Sequence, residues 1–295
     1  MERFHLNADK KEYVSEIIHA QDSSIWFGKV KRLELKLFAI NILPKLVLHK
    51  ENLMEEFRLE VDKKEYVSEI IHADDNSICF GKVKRLELRG YAVNALPKLV
   101  LHEENVMEEL RLDAWNKEHV SEIIRVEESS ILLRKVKKMK LRDYTVNILH
   151  RLVLHEENLM EEFHLEANKE EHVFEIIHAK NNNVLLGKVK RLELRDYTIN
   201  ILPKLVLHEE NVMERFHLNA DKKEYVSEII FAKNNSIWFG KVKKLELKLF
   251  AINILSKLVL HKDNVMEEFR LDADKKEYVS EIIHAKNNSI CFGKV

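Results

Sequence analysis

Apolar residues recur along this chain in two patterns. In Met54-Glu-Glu-Phe57-Arg-Leu59 and in Val83-Lys-Arg-Leu86-Glu-Leu88 the order is apolar-x-x-apolar-x-apolar. The alternation at its end suits a short strand with one face buried. Between the two, Tyr66, Val67, Ile70 and Ile71 fall at i, i+1, i+4 and i+5, one stripe of a helix. Asp62 and Glu65 stand ahead of that stripe at capping-box spacing, with Asp in place of Ser or Thr. The polar run Asp74-Asp-Asn-Ser77 ends the helix, and Ile78 and Phe80 are expected to tuck into the core before Gly81 turns the chain. After the second strand, Val93, Leu96, Leu99 and Val100 again have helical spacing, and Pro97 either cuts that helix short or sits in its first turn. The unit reads strand, helix, strand, short helix.

This unit repeats. Methionines open near-identical segments at 1, 54, 107, 160, 213 and 266, always 53 residues apart. Units 1–53, 54–106, 107–159, 160–212 and 213–265 are complete, and 266–295 is part of a sixth. Self-similarity at this scale predicts a stacked array in which each unit buries its apolar face on its neighbours. Residues 1–53 and 213–265 differ at 8 positions, and 54–83 and 266–295 at 4, so a block of four units has been copied recently. A residue recurring every 53 positions is therefore present by copying, and its recurrence says nothing of function.

The half-to-half steps are 29 residues (54 to 83) and 24 (83 to 107), the length of leucine-rich repeats. The connections of roughly 18 and 23 residues exceed the dozen or so that a parallel crossover needs. The predicted fold is α/β: a single solenoid over residues 1–295, with a curved parallel sheet and helices on the convex side. An all-helical solenoid is the rival, because Met, Glu, Leu, Arg and Lys are good helix formers. The L-x-L alternation in both segments favours strands.

The V-x-x-L-x-L pattern with alternating half-repeats resembles leucine-rich-repeat proteins over the whole chain. It departs from them at the ladder position, usually Asn or Cys, which here is Tyr91, Tyr144 or Tyr197 in the second half and no constant Asn in the first. Val67-Ser-Glu-Ile-Ile71 followed by Lys82-Val-Lys-Arg-Leu-Glu-Leu88, and Leu96-Pro97-Lys-Leu99 ahead of Met107-Glu-Glu-Leu-Arg-Leu112, look like the FTH-type repeats that follow the F-box in nematode F-box proteins. That resemblance implies repeats that capture a substrate while an F-box recruits a ubiquitin ligase. No F-box segment is visible in these residues, and the resemblance carries over no functional residue.

Charge is patterned on the strands. First-half strands are acidic at their second and third places (Glu55, Glu56, Glu108, Glu109, Glu161, Glu162, Glu267, Glu268), and second-half strands are basic there (Lys31, Arg32, Lys84, Arg85, Lys137, Lys138, Lys190, Arg191, Lys243, Lys244). At the fifth place the signs reverse, with Arg58, Arg111 and Arg270 against Glu34, Glu87, Glu193 and Glu246. If the halves alternate in one sheet, opposite charges stand side by side about 4.8 Å apart and fix the register. A partner site requires charges left without a mate. Lys140 replaces the usual Glu near Arg111 and His164, and Arg3 and Arg215 also replace Glu. The partner-binding candidates are Lys137, Lys138, Lys140, Arg142, Arg111 and His164.

The rest of the composition removes functions rather than adding them. With 49 basic and 50 acidic residues the net charge is -1, which gives no general pull toward nucleic acid or anionic membrane. The start of the chain carries no apolar signal segment, and the most apolar stretch, Leu37 to Leu48, is too short and polar to span a bilayer. Cys79 and Cys291 occupy equivalent places four units apart, too far for a disulfide, and free thiols fit a reducing, cytoplasmic compartment. Most of the 15 histidines are repeat copies: His49, His102, His155, His208 and His261 share one place, and His19, His72, His178 and His284 another. Such columns step about 10 Å per unit, too far for one metal ion. His102-Glu103-Glu104 lacks the second His of a zinc-protease motif, and no phosphate loop, nucleophile elbow or C-x-x-C pair occurs. Asn234-Asn-Ser236 and Asn287-Asn-Ser289 match the glycosylation pattern and read as loop polarity. Trp26, Trp115 and Trp238 read as packing or rim aromatics.

These readings point to a non-catalytic protein-interaction scaffold without cofactor or metal, binding a protein through the concave sheet or its rim. The alternatives are the substrate-recognition portion of an F-box-type ubiquitin ligase adaptor and a recently duplicated fragment without selected function. The chain opens on a strand at Met1 and stops at Val295 with no polar cap. This predicts either a piece of a longer protein or self-association through the uncapped ends.

Overall fold

The computed structural model describes residues 1–21, 24–49, 51–126, 130–179, 183–231 and 237–283. Cys291, His284 and both Asn-Asn-Ser sites lie outside the described residues. The chain forms two compact units, Met1–Lys138 with Arg151–His155, and Met139–His150 with Glu156–Val295.

In the first unit both halves of each repeat give a strand, so the helical rival is overturned. Strands β1 (Arg3–Ala8), β2 (Arg32–Leu37), β3 (Leu53–Val61), β4 (Ile78–Gly90) and β5 (Glu109–Ala114) lie parallel in chain order. The second unit holds six more in the same manner: β6 (Lys138–Asp143), β7 (Glu162–Ala167), β8 (Arg191–Asp196), β9 (Arg215–Ala220), β10 (Lys244–Leu249) and β11 (Glu268–Asp272). Alternation decides the faces. Leu86 and Leu88 on β4 and Phe163 and Leu165 on β7 are fully buried, whereas their charged neighbours face solvent. Phe80 packs on Phe57 with ring centroids 4.5 Å apart, and Ile78 is buried beside it, as the apolar pattern requires. Gly81 does not end the strand. At φ +73° it makes a bulge within β4, and a Cβ there would lie 2.7 Å from the Asn52 carbonyl oxygen.

Each first-half connection holds one turn of 3-10 helix and a short α-helix: α1 (Ser15–Ile18), α2 (Ser68–His72), α3 (Ser121–Arg125), α4 (Phe174–His178), α5 (Ser227–Phe231) and α6 (Ser280–Ile283). The capping box is not formed: the 3-10 turn Lys64–Val67 follows Lys63, and no side chain caps it. The cap of α2 comes from the preceding repeat. The Glu69 N–H donates to Asn41 Oδ1 at 3.0 Å, and Asn41 Nδ2 donates to the Glu65 carbonyl at 3.1 Å. Asn94 serves α3 in the same way, and Asn147 serves α4 in the second unit.

The second-half connection is not a short α-helix but an eight-residue 3-10 helix, Tyr91–Lys98, followed by a three-residue strand, Leu99–Leu101. Val93 and Leu96 are three apart and line one side of a helix with three residues per turn. Pro97 does not set its length, because the corresponding helices Tyr144–Arg151 and Phe250–Lys257 carry His150 and Ser256 in its place. The cation that closes these helices reaches back to the end of the α-helix before it. Arg151 donates to the carbonyls of Ile123 and Ile124 at 2.9 and 2.8 Å, and Lys204 donates to that of Ala179 at 2.7 Å.

Constant asparagines do the work of the ladder, at places other than the tyrosines. Besides the helix-capping set, Asn52 and Asn105 in the first unit accept from the N–H groups of Val30 and Val83, both at 2.7 Å. In the second unit Asn211 accepts from Val189 at 2.7 Å. The ladder tyrosines instead meet the next repeat's aromatic edge-on: Tyr91 on His119 and Tyr144 on His172, each at 4.5 Å between centroids.

Candidate functional site

The solvent face of the sheet is a grid of charges. In the first unit the register sets Arg32 and Arg85 on either side of Glu56, and Glu34 and Glu87 on either side of Arg58. Across the next ladder Arg85 faces Glu109, Glu87 faces Arg111 and Arg89 faces Asp113. In the second unit Lys244 faces Glu268, Glu246 faces Arg270 and Lys248 faces Asp272. The alternation of sign between half-repeats is thus realised strand against strand. Several of the shortest contacts nevertheless run along one strand between residues two apart: Arg89 to Glu87 at 2.7 Å, Arg111 to Glu109 at 2.8 Å and Arg195 to Glu193 at 2.7 Å. Each exposed pair contributes about 0.2–1 kcal/mol, less in salt. The energetic gain is modest, and the larger effect is to penalise a wrong register.

Three carboxylates are nodes of this grid. Arg3, Lys36 and His5 together hold Glu34 down to about 2. Burial works against ionisation of Glu246, and Arg215 and Lys248 override it to bring that group also to about 2. Glu193 lies between two histidines, His164 Nδ1 at 3.3 Å and His217 Nδ1 at 3.5 Å, and they, with Arg195, hold it far below the ordinary carboxylate range.

The grid fails where a first-half strand carries Arg in place of Glu. Arg3 lies opposite Arg32 in the first unit, and Arg191 opposite Arg215 in the second. Neighbouring carboxylates partly answer them: Arg215 pairs with Glu246, and Arg191 reaches Glu162 at 3.8 Å. The two arginines remain about half exposed at the wall of a cleft of about 360 Å³ lined by Glu162, Arg191, Glu193, Arg195, Arg215 and His217.

The residues singled out from sequence are placed as follows. Arg111 on β5 is tied to Glu109. On β6 Lys140 lies 3.4 Å from Glu162 and Arg142 lies 3.3 Å from Glu166, and His164 on β7 touches Glu193. Lys137, exposed just before β6, and half-buried Lys138 have no ion pair among the described residues. Sequence reasoning named Arg215 as a basic departure but not its partner Arg191, since only the register shows which like charges meet.

The other chemically suggestive residues have local roles. The rings of His49, His102 and His208 accept the N–H two residues on, at 3.1 to 3.2 Å, and those of His19, His72 and His178 donate to a carbonyl of their own helix. Among the described residues no group of three or more His, Cys, Asp or Glu is placed to hold a metal ion. Cys79 is an exposed free thiol, and Trp115 packs edge-on against His119. No described helix is long and apolar enough to cross a membrane. No protein-family model, curated protein or solved structure matches this chain.

Proposed function

We propose that this chain is a non-catalytic protein-interaction scaffold that takes an extended, carboxylate-bearing segment of another protein across the exposed face of its sheet. One observation carries the reading. On a face where plus mostly meets minus, Arg191 and Arg215 stand opposite each other at a cleft. Like charges directly opposed on neighbouring strands are unfavourable, and a carboxylate bound between them relieves that. Two guanidinium forks also suit bidentate recognition of such a group. In the first unit Lys137 and Lys138, without ion pairs among the described residues, are by themselves a basic point suited to a carboxylate. The repeat type that this arrangement supports is leucine-rich-repeat-like, one parallel strand and one helical crossover per half-repeat.

The test is selection from a random peptide library displayed against the purified chain, repeated with Arg191→Glu/Arg215→Glu. Enrichment of Asp- or Glu-bearing extended sequences by the parent chain, lost in the variant and weakened by salt, is the expected result. Peptides of no charge preference, or a selection indifferent to the two reversals, would overturn the proposal.

A further inference from the structure

The first unit carries a second surface, apolar and away from the charged face. Short parallel strands run beside one another there: Ile25–Gly28 on Leu46–Leu48, the start of β4 on Leu99–Leu101, and Ile131–Val136 on Leu152–Leu154. Their registers set Trp26 beside Val47, Cys79 beside Val100 and Leu132 beside Val153. The residues on either side of these, such as Ile78, Ile131, Leu46 and Leu99, are buried in the core. The three pairs therefore point outward, with Trp26 72% and Leu132 51% exposed and Cys79 exposed between them. Leu46–Leu48 packs beside β4 and Leu99–Leu101 beside Ile131–Val136, so the pairs form one continuous stripe. At its border Lys29 pairs with Glu51 at 3.8 Å and Lys82 with Glu104 at 2.7 Å, opposite charges side by side.

We propose that this stripe is a self-association surface, covered by a second copy of this chain lying antiparallel across it about a two-fold axis through the Cys79 row. Three observations select that occupant. A two-fold contact needs a patch that matches itself when reversed. The outward residues read large, small, large (Trp26, Cys79, Leu132), so reversal sets Trp26 on the partner's Leu132 and leaves the small thiol facing its own copy. The rim pairs complement themselves, each Lys meeting a Glu of the other copy, and a net charge of -1 brings little mutual repulsion. An apolar centre with a polar rim is also the anatomy of protein interfaces.

The axis position makes the proposal specific. In a Cys291→Ser background Cys79 is the sole thiol. Diamide, a diazene oxidant, joins the thiols of two facing copies into a disulfide and takes up the two electrons and two protons as its hydrazine. Sedimentation velocity between 1 and 100 µM and diamide treatment with non-reducing electrophoresis form the experiment. The expected result is a concentration-dependent dimer that becomes covalent through Cys79. Trp26→Asp and Leu132→Asp each reduce both readouts at least tenfold, and Arg58→Ala on the charged face of the same unit alters neither. Unfolding in urea checks that each variant is folded, and Trp26→Ser replaces Trp26→Asp if the acid disturbs it. A monomer at 100 µM, or a dimer indifferent to the stripe variants, overturns the surface. A dimer that resists cross-linking overturns the axis.

Discussion

Asn94 belongs to one repeat and starts the helix of the next: its Nδ2 donates to the Glu118 carbonyl at 3.0 Å, and its Oδ1 accepts the Glu122 N–H at 3.0 Å. Asn94 is fully buried, so Asn94→Ala leaves a donor and an acceptor without water or partner. Each such group costs about 1–3 kcal/mol, and the variant is expected to lose about 2–4 kcal/mol in urea unfolding. Asn94→Asp keeps the acceptor, loses the donor and buries a charge, so it should fare no better. A loss under about 0.5 kcal/mol would show that the inter-repeat bond does not matter.

His119 is 2% exposed, and burial lowers its pKa against the opposing pull of Glu118. The folded state then binds fewer protons than the unfolded one. Its contribution is full above the unfolded value of about 6.5 and declines as the pH falls below it. The equivalent residue is Tyr66, Tyr225 or Tyr278 in other repeats. Exchange of His119 for tyrosine is expected to flatten the drop in urea midpoint between pH 7.5 and pH 5, and an unchanged drop would place its source elsewhere.

Asp196 acts in the opposite sense. Burial first, then the charges of Asp221 and Glu166, raise it to about 6. The folded state holds this proton more tightly than the unfolded chain, so stability declines as pH rises from about 4 to about 6. Asp196→Asn should remove that decline and add about 1–2 kcal/mol at pH 7, read from unfolding curves at pH 4.5 and 7.

The last residue of each second-half strand has a left-handed backbone: Leu37 at φ 54°, Gly90 at 61°, Asp143 at 55°, Asp196 at 59° and Leu249 at 55°. Such a conformation costs a side-chain-bearing residue about 1–3 kcal/mol, and glycine gives back about 0.5–1 in entropy. Leu249→Gly is therefore expected to stabilise by about 1 kcal/mol, seen as a higher melting temperature. Gly90→Asp should destabilise by more than about 2 kcal/mol, because a Cβ there would run into the Val61 carbonyl oxygen and lie 2.9 Å from Trp115. Equal melting temperatures for the parent and both variants would contradict this account.

The strands, their parallel pairing and the sign alternation between halves were legible because they depend on a period of two and on charges one strand apart. The helix start was misread because Asp62 and Glu65 have capping-box spacing, while the actual cap, Asn41, is 28 residues before the N–H it binds. Local sequence carries no trace of a bond made across repeats. The sequence does not distinguish the 3-10 helix from an α-helix because Val93 and Leu96, three apart, suit both periods, while Leu99 and Val100, which extend the α pattern, lie in the strand beyond it. Arg191 was missed as a candidate because its sign is ordinary for its place. Only the strand beside it, with Arg215, makes it unusual.

The sheet's complementarity lies between unlike halves, and this limits how the gene can change length. Recombination that gains or loses 53 codons returns a basic strand to an acidic neighbour. An event of 24 or 29 codons would set two strands of one kind together and repel along the whole ladder. Unequal crossing-over is thereby confined to whole units, and the arrays that survive it are those with strands still in alternation.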